Sequence, residues 1–141
     1  MSGYLLDTNV VSELTSDNPE PKVAAFLNLR ADQWLSAVVL HELEFGLQQL
    51  PDGRRRERMY EDHYQFLSAF ENRIVPLDSL AAEFAAVSRA EARRNGRPVD
   101  VADALIAGTA IANEMTVVTR DVTDFAALGV EVINPWEYET S

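Results

Sequence analysis

Short apolar and β-branched segments recur along this chain, and a stretch with helical spacing separates each from the next. The apolar segments are bounded by polar or turn residues and predict five β-strands, at residues 4–6, 34–38, 74–77, 116–119 and 130–133. The stretches between them predict helices at residues 20–29, 39–50, 55–70, 80–94 and 103–113. Strands that alternate with helices indicate an α/β fold, with a central, mostly parallel five-stranded sheet flanked by helices on both faces.

Length and composition predict a single domain that spans residues 1–141. The chain has 141 residues and 47% hydrophobic content, enough for one substantial core and little for two. It contains no cysteine, which excludes disulfides and thiolate chemistry and fits a reducing compartment. The apolar run at residues 4–6 is broken by Asp7 and resembles neither a signal peptide nor a membrane span. We therefore expect a cytoplasmic protein without a membrane segment.

The basic residues are concentrated in two places, although the formal net charge is −11. Such acidity argues against a simple nucleic-acid-binding protein, because phosphate contacts normally come from a surplus of cations. One group lies within residues 54–58, and the other consists of Arg89, Arg93, Arg94 and Arg97. The first fits a solvated helix start, with Arg58 paired to Glu61 or Asp62. The second fits either the end of a helix before Asn95-Gly96 or contacts with phosphate groups.

Four acidic residues adjoin apolar segments that are far apart in sequence: Asp7, Glu42, Asp103 and Asp121. The ends of parallel strands converge on one crevice, so these carboxylates can meet there. Carboxylates without histidine or cysteine suit a hard cation such as Mg²⁺ or Mn²⁺. The pattern therefore predicts a metal site of the kind that supports phosphoester cleavage.

The first two acids also have structural interpretations. Asp7 stands between a strand and a helix that begins at Thr8, so it can serve as a turn residue or a cap. Glu42 and Glu44 share one helix, and the apolar periodicity of that helix does not choose between them. For these two positions the residues alone leave both interpretations open.

The last two acids have comparable alternatives. Asp100 and Asp103 have the spacing of an N-cap followed by a first-turn carboxylate, and we interpret Asp100 as that cap. Asp121 and Asp124 both follow the fourth predicted strand, and either can cap a short helix at residues 124–128. The choice between Asp121 and Asp124 as the fourth acid stays open.

Four segments of the chain resemble the four sequence motifs of PIN-domain ribonucleases. They read LLDTNVVSE at residues 5–13, LSAVVLHEL at residues 35–43, ADALIA at residues 102–107 and VTRD at residues 118–121. The similarity is greatest to the VapC toxins and their FitB-like relatives. The ending Asn134-Pro135-Trp136 is also similar, so the resemblance covers essentially the whole chain. Any one motif is weak evidence, but four in this order and spacing are specific.

The resemblance implies a PIN-like fold and a metal-dependent endoribonuclease that acts as the toxin of a type II toxin–antitoxin pair. It assigns the catalytic and metal-binding roles to Asp7, Glu42, Asp103 and Asp121, and it selects Glu42 over Glu44. The implied cofactor is Mg²⁺ or Mn²⁺. The side chains of Thr8, Asn9 and Thr119 would support these acids through hydrogen bonds.

The resemblance also implies partners. They are an RNA substrate and a cognate VapB-like or FitA-like antitoxin that occupies the active site, and we further expect a homodimer. Among the arginines, Arg89, Arg93 and Arg97 are candidates for contacts with RNA phosphates at the rim of the acidic pocket.

Two other enzyme classes also place an aspartate after their first strand, namely response-regulator receiver domains and haloacid-dehalogenase-type phosphatases. Both need a lysine near the end of a later strand, whereas the one lysine of this chain, Lys22, lies in an early predicted helix. The remaining alternative is a catalytically inactive PIN-like module that binds RNA or a protein. The presence of all four acids argues against it.

Several polar and aromatic residues are not assigned to chemistry. His41 and His63 are expected to be ordinary surface or interface residues rather than general bases. The aromatic residues Tyr60, Tyr64, Phe66 and Phe70 predict a helix face for packing or dimerisation rather than a base-stacking platform.

Overall fold

The computed structural model describes residues 3–139, and five strands within them form one sheet. The strands are β1 (Tyr4–Leu6), β2 (Gln33–Ser36), β3 (Ile74–Val75), β4 (Thr116–Val118) and β5 (Val132–Ile133). Their order across the sheet is β3-β2-β1-β4-β5, and every neighbouring pair is parallel. The predicted α/β fold with a five-stranded sheet is confirmed.

Seven α-helices lie among the described residues, followed by a short 3₁₀ helix at Pro135–Glu137. The α-helices are α1 (Thr8–Leu14), α2 (Pro21–Leu29), α3 (Ala37–Gln48), α4 (Arg54–Ser68), α5 (Ser79–Arg94), α6 (Val101–Ala112) and α7 (Val122–Ala127). None of them combines the length and the apolar composition needed to cross a membrane. The break between α3 and α4 falls at Gly53, whose φ of 147° is a conformation that other residues rarely adopt.

Several strands are shorter than the sequence predicted. Residues 37–38 belong to α3 because the Ser36 hydroxyl caps that helix, accepting a hydrogen bond from the backbone N–H of Val38 at 3.0 Å. Strand β3 ends before Pro76, which has no N–H to extend the ladder. The predicted bounds at 116–119 and 130–133 were likewise too wide, since β4 ends at Val118 and β5 begins at Val132.

Strand β1 lies at the centre of the sheet and of the core. It pairs with β2 on one side and with β4 on the other, so both edges of its backbone are hydrogen-bonded. Leu5, Leu35 and Val117, on these three strands, are fully buried. Complete burial of such a side chain contributes about 1.5–3 kcal/mol. The short run before Asp7 is therefore held rigidly, and it fixes where that carboxylate begins.

Helices α5 and α6 pack against each other through small residues. Ala81 and Ala85 of α5 are buried, and Gly108 of α6 faces them. A Cβ atom at Gly108 would lie only 2.3 Å from the carbonyl oxygen of Ala81, so this position requires glycine for the close approach. The contact fixes the position of α6, whose first turn carries Asp103.

Candidate active site

The carboxyl ends of the central strands open into a pocket with a volume of about 480 Å³. All four acids that the sequence predicted line this pocket, and six other residues complete it: Thr8, Asn9, Ser12, Glu13, Arg120 and Trp136. The strand order explains the convergence, because β1 lies between β2 and β4 and the segments after all three strands reach the same edge. We call this cavity the acidic pocket.

Asp7 directly follows β1 and is the most buried of the four acids, at 4% exposure. Its Oδ1 accepts a hydrogen bond from the backbone N–H of Thr8 at 2.7 Å, and its Oδ2 accepts one from the Thr119 hydroxyl at 2.7 Å. Burial raises the pKa of Asp7 to about 6, with smaller increases from the charges of Glu42 and Asp121, and the hydrogen bonds oppose the shift only in part. Asp7 is both the N-cap of α1 and a wall of the pocket.

Glu42 and Glu44 occupy different environments, although they are two residues apart on α3. The Thr8 hydroxyl donates to Oε1 of Glu42 at 2.6 Å, inside the acidic pocket. Glu44 instead accepts hydrogen bonds from Gln48 and Tyr60 on the exposed side of the helix. The geometry therefore separates two positions that helical periodicity left equivalent.

Asp103 lies in the first turn of α6. Burial raises its pKa to about 7, and the negative charges of Asp7 and Asp121 contribute to the increase. Asp100 occupies the N-cap position of α6, but its side chain makes no capping hydrogen bond. The predicted position of Asp100 was thus right, whereas the capping role of its carboxylate was wrong.

Asp121 and Asp124 both approach Asp103. One carboxylate oxygen of each of these three residues lies within 4.8 Å of the other two. Asp121 is the N-cap residue of α7 without a side-chain capping bond, and burial together with a hydrogen bond to Asp124 raises its pKa. Asp124 also accepts from Arg97, with 2.7 Å between oxygen and guanidinium nitrogen. The carboxylates of Asp103, Asp121 and Asp124 therefore form an acidic cluster, which shares Asp103 and Asp121 with the acidic pocket.

Three polar residues predicted to support the acids form a connected network. The Thr119 hydroxyl donates to Asp7 and accepts from the backbone N–H of Asp121 at 2.9 Å and from Nδ2 of Asn9 at 3.3 Å. Asn9 also accepts from the backbone N–H of Arg120 at 3.3 Å. With the bond from Thr8 to Glu42, this network links segments from α1, α3 and β4 and orients their carboxylates.

The sequence analysis missed Arg120 and Trp136 as residues of this pocket. The guanidinium of Arg120 lies 4.8 Å from the centroid of a Trp136 ring, so the indole holds a cation at the rim. Among the described lining residues Arg120 is the sole basic one. The sequence could have indicated both residues. Arg120 lies between Thr119 and Asp121 in one of the four motifs, and Trp136 belongs to the ending that resembles the family. The guanidinium of Arg120 suits a contact with phosphate.

Some expectations for α4 were wrong. His63 is buried, with 7% exposure, rather than at the surface, whereas His41 is exposed and stacks on Phe45. Within residues 3–139, Arg58 forms no ion pair with either predicted acid, and Arg56 pairs with Asp52 instead. The burial of His63 arises from packing, because its side chain faces α1 and α3.

The aromatic face predicted for the helix at residues 55–70 is divided between core and surface, and α4 ends at Ser68, before Phe70. The rings of Phe66 and Phe70 stack with centroids 5.1 Å apart and pack in the core, whereas Tyr64 is 77% exposed. Tyr60 instead contacts Arg56 and donates to Glu44. The prediction that these aromatic residues pack in the core is thus right for Phe66 and Phe70 and does not hold for Tyr60 and Tyr64.

The donors of the acidic pocket fit a hard divalent cation. They are carboxylate oxygens from separate segments. Burial, and to a smaller extent repulsion between neighbouring carboxylates, raises the pKa values of Asp7, Asp103 and Asp121. A cation among them would remove that repulsion and stabilise the ionised forms. Carboxylates gathered at the ends of parallel strands, with hydroxyl support, have the chemistry that a divalent-metal site requires.

Comparison with known proteins assigns the family. Residues 4–130 match the PIN domain, and the chain belongs to this family, whose nucleases use divalent metal ions. VapC ribonuclease Y4jK of Sinorhizobium fredii is 38% identical over 137 residues, which cover 94% of this chain and 97% of that protein. Toxin FitB of Neisseria gonorrhoeae is 38% identical over 135 residues, with coverage of 94% and 97%.

A solved structure shows the same fold. The structure of FitAB bound to the IR36 DNA fragment superposes with a TM-score of 0.88 at 38% identity, and the match covers 97% of this chain and 98% of that one. The resemblance to PIN-domain ribonucleases that the four motifs predicted is confirmed.

Proposed function

We propose that residues 1–141 form a single PIN domain that cleaves RNA internally, depends on Mg²⁺ or Mn²⁺, and acts as the toxin of a type II toxin–antitoxin pair. The observation that carries this proposal is the convergence of Asp7, Glu42, Asp103 and Asp121 on one pocket, in a chain related to a VapC ribonuclease and to toxin FitB. Raised pKa values of Asp7 and Asp103 support it, because clustered carboxylates at functional sites have this property.

The four acids would hold the cation, and the surrounding side chains would fix their positions. A bound Mg²⁺ or Mn²⁺ supplies a lowered pKa for an attacking water molecule and offsets negative charge on the phosphate. Thr8 and Thr119 keep Glu42 and Asp7 in their orientations by the hydrogen bonds described above. Arg120, held over Trp136, would bind a non-bridging phosphate oxygen and so orient the phosphodiester in the pocket.

Substitution of single acids tests the assignment. Asp7→Asn, Glu42→Gln and Asp103→Asn should each reduce the rate of RNA cleavage about 100-fold or more, because each removes a fixed charge at the reacting centre. Asp121→Asn should retain part of the activity, since Asp124 remains beside Asp103. Glu44→Gln is the matched control, and it should cleave at the parent rate. Full activity in excess chelator would refute metal dependence.

A catalytically inactive PIN-like module is the competing function. The complete set of acids and the hydrogen bonds that orient them argue against it, because a site without chemistry gains nothing from crowded carboxylates. Cleavage of RNA by the purified protein with Mn²⁺, absent from Asp103→Asn prepared in parallel, decides between the two.

The proposed protein partner is a VapB-like or FitA-like antitoxin that brings a cation into the acidic pocket. An arginine or lysine among Asp7, Glu42 and Asp103 would replace the charge of the metal in a partly desolvated site. Antitoxin and metal should therefore compete. The test is to titrate Mn²⁺ against complex formation, and an affinity for the antitoxin that stays constant would place the partner elsewhere.

We further propose a homodimer through the exposed apolar stripe of α5. Leu80, Phe84 and Val87 recur at helical spacing and are 49%, 37% and 57% exposed. The three side chains are apolar, so they suit an identical stripe in a two-fold interface rather than a basic antitoxin. Leu80→Glu with Val87→Glu should give a monomer in sedimentation equilibrium, whereas Tyr64→Glu on α4 should not. A dimer that survives the double substitution would exclude this face.

Arg89, Arg93 and Arg97 remain proposed contacts with RNA phosphates. Arg93 lies in the last turn of α5, where a cation also favours the helix dipole. Arg97 pairs with Asp124 at the edge of the acidic cluster. That pairing places a cation where phosphate bound at the acids would meet it.

A further inference from the structure

A second cavity adjoins the acidic pocket, between α1, α3 and α4. Its volume is about 460 Å³, within the range of about 300–1,000 Å³ that small-molecule sites occupy. Thr8, Ser12 and Glu42 line both cavities. A polynucleotide held at the acids can therefore extend into the second cavity, which we call the α1–α4 groove.

His63 lines the α1–α4 groove with an unsatisfied polar atom. The residue is 7% exposed, and its Nδ1 has no hydrogen-bond partner in the described part of the chain. A buried polar atom in this state loses the hydrogen bond it would make with water, and a ligand that supplies a partner restores it. Burial lowers the pKa of His63, so its imidazole is neutral near pH 7 and offers one donor and one acceptor nitrogen.

The other walls of the groove combine apolar surface with charges of both signs, because the carboxylates of Asp17, Glu42 and Asp62 line it together with two arginines. Leu47, Leu50 and Met59 contribute apolar side chains. Arg55 and Arg58 are exposed at the rim, and neither forms an ion pair within residues 3–139. Apolar faces, a neutral polar edge and nearby phosphates are the features of an unstacked nucleotide.

We propose that the α1–α4 groove binds one unstacked nucleobase of the RNA substrate, close to the cleaved phosphodiester. His63 hydrogen-bonds the polar edge of the base, and Arg55 and Arg58 hold the adjacent phosphates. This inference rests on the proposed ribonuclease function and adds a determinant of sequence preference to it. A basic antitoxin segment is the competing occupant, because Asp17, Glu42 and Asp62 also line the groove, whereas the unsatisfied His63 Nδ1 and the two arginines, unpaired within residues 3–139, favour the nucleotide.

The experiment uses a short RNA with a mapped cleavage site and a series of copies that lack one nucleobase each. The parent protein should cleave the copy without the bound base about tenfold less efficiently in kcat/KM, the loss expected for one hydrogen bond together with base packing. His63→Ala should remove this difference, so that intact and abasic RNAs react alike. His41→Ala, which changes the exposed histidine of α3, is the matched control and should keep the discrimination.

A second variant blocks the groove without removing a buried group. Gly46 lines the groove, and a Cβ atom there would meet no heavy atom within 4 Å, so the helix accepts a side chain. Gly46→Trp should remove the same discrimination, and Gly46→Ala should preserve it. This pair decides the question if His63→Ala does not fold.

Equilibrium binding of the same RNAs in chelator separates this inference from the proposed function. Discrimination in binding that depends on His63 supports the groove assignment even if the parent protein shows no metal-dependent cleavage, an outcome that would refute the nuclease proposal alone. Equal treatment of all abasic copies by the parent protein would overturn the groove assignment. So would discrimination unchanged in Gly46→Trp, or variants that weaken only antitoxin binding.

Discussion

Replacement of Asp7 by asparagine should stabilise the metal-free protein at pH 8. The buried carboxylate of Asp7 has its pKa raised from 3.8 to about 6. Because the folded-state pKa lies above the unfolded-state value, the folded protein binds the proton more tightly between these two values. The free energy of unfolding therefore falls as pH rises through this window, and it stays low above pH 6.

The shift sets the magnitude of the effect. A change from 3.8 to about 6 corresponds to about 3 kcal/mol of destabilisation by the ionised carboxylate. Asparagine is neutral but loses one acceptor oxygen, toward either Thr8 or Thr119, at a cost of about 1 kcal/mol. Asp7→Asn should thus gain about 1–2 kcal/mol at pH 8. At pH 4.5 the carboxyl group of Asp7 is still mostly protonated in the folded protein but mostly ionised in the unfolded chain, which destabilises the parent by about 1 kcal/mol. This offsets the lost acceptor of asparagine, so the variant and the parent should be about equally stable at that pH.

Urea unfolding in chelator at both pH values measures the two free energies. Asp78→Asn is the control, because Asp78 caps α5 from an exposed position, accepting from the backbone N–H of Ala81 at 2.9 Å. Asparagine caps about as well as aspartate, so that variant should change stability by less than about 0.5 kcal/mol. If Asp7→Asn is less stable than the parent at both pH values, Asp7 acts as a structural cap and the repulsion argument fails.

The helix packing and the charges give three further predictions. Gly108→Ala should lower the free energy of unfolding by about 1–3 kcal/mol, because its Cβ meets the α5 backbone; unchanged stability in urea would contradict that close approach. The affinity for Mn²⁺ measured by calorimetry should fall as pH drops from 7.5 to 5.5, since protons compete at Asp7 and Asp103; a flat profile would exclude these ligands. Arg89→Ala with Arg93→Ala should weaken RNA binding and reduce its salt slope by about 0.7 for each phosphate that the protein no longer neutralises; a slope equal to that of the parent would remove α5 from the RNA path.

The central part of the fold and most of the acidic pocket were predictable because each depends on local sequence. The run before Asp7 is apolar because β1 is buried on both faces, and the position of the acid follows from the parallel topology. The choice of Glu42 over Glu44 came from the family resemblance, since helical periodicity alone did not distinguish them. The structure places Glu42 in the pocket through the Thr8 hydroxyl, a contact across 34 positions of the chain.

The residues that sequence analysis placed wrongly or missed depend on packing between distant elements. His63 has a polar helical neighbourhood, and only the docking of α4 beside α1 and α3 buries it. Arg120 received no role from the sequence, because the ring that it contacts belongs to Trp136, 16 positions further along the chain. The approach of Asp124 to Asp103 likewise depends on how α7 lies against α6, which no local pattern encodes.

The strand order affects when activity can arise during synthesis. Because β4 lies beside β1, the first strand gains its second hydrogen-bonded neighbour only after residues 116–118 have left the ribosome. A nascent chain that ends after α5 has supplied Asp7 and Glu42 but neither Asp103 nor Asp121. Translation therefore delays assembly of the proposed nuclease, and the proposed antitoxin would acquire its target among these acids at the same moment as the RNA.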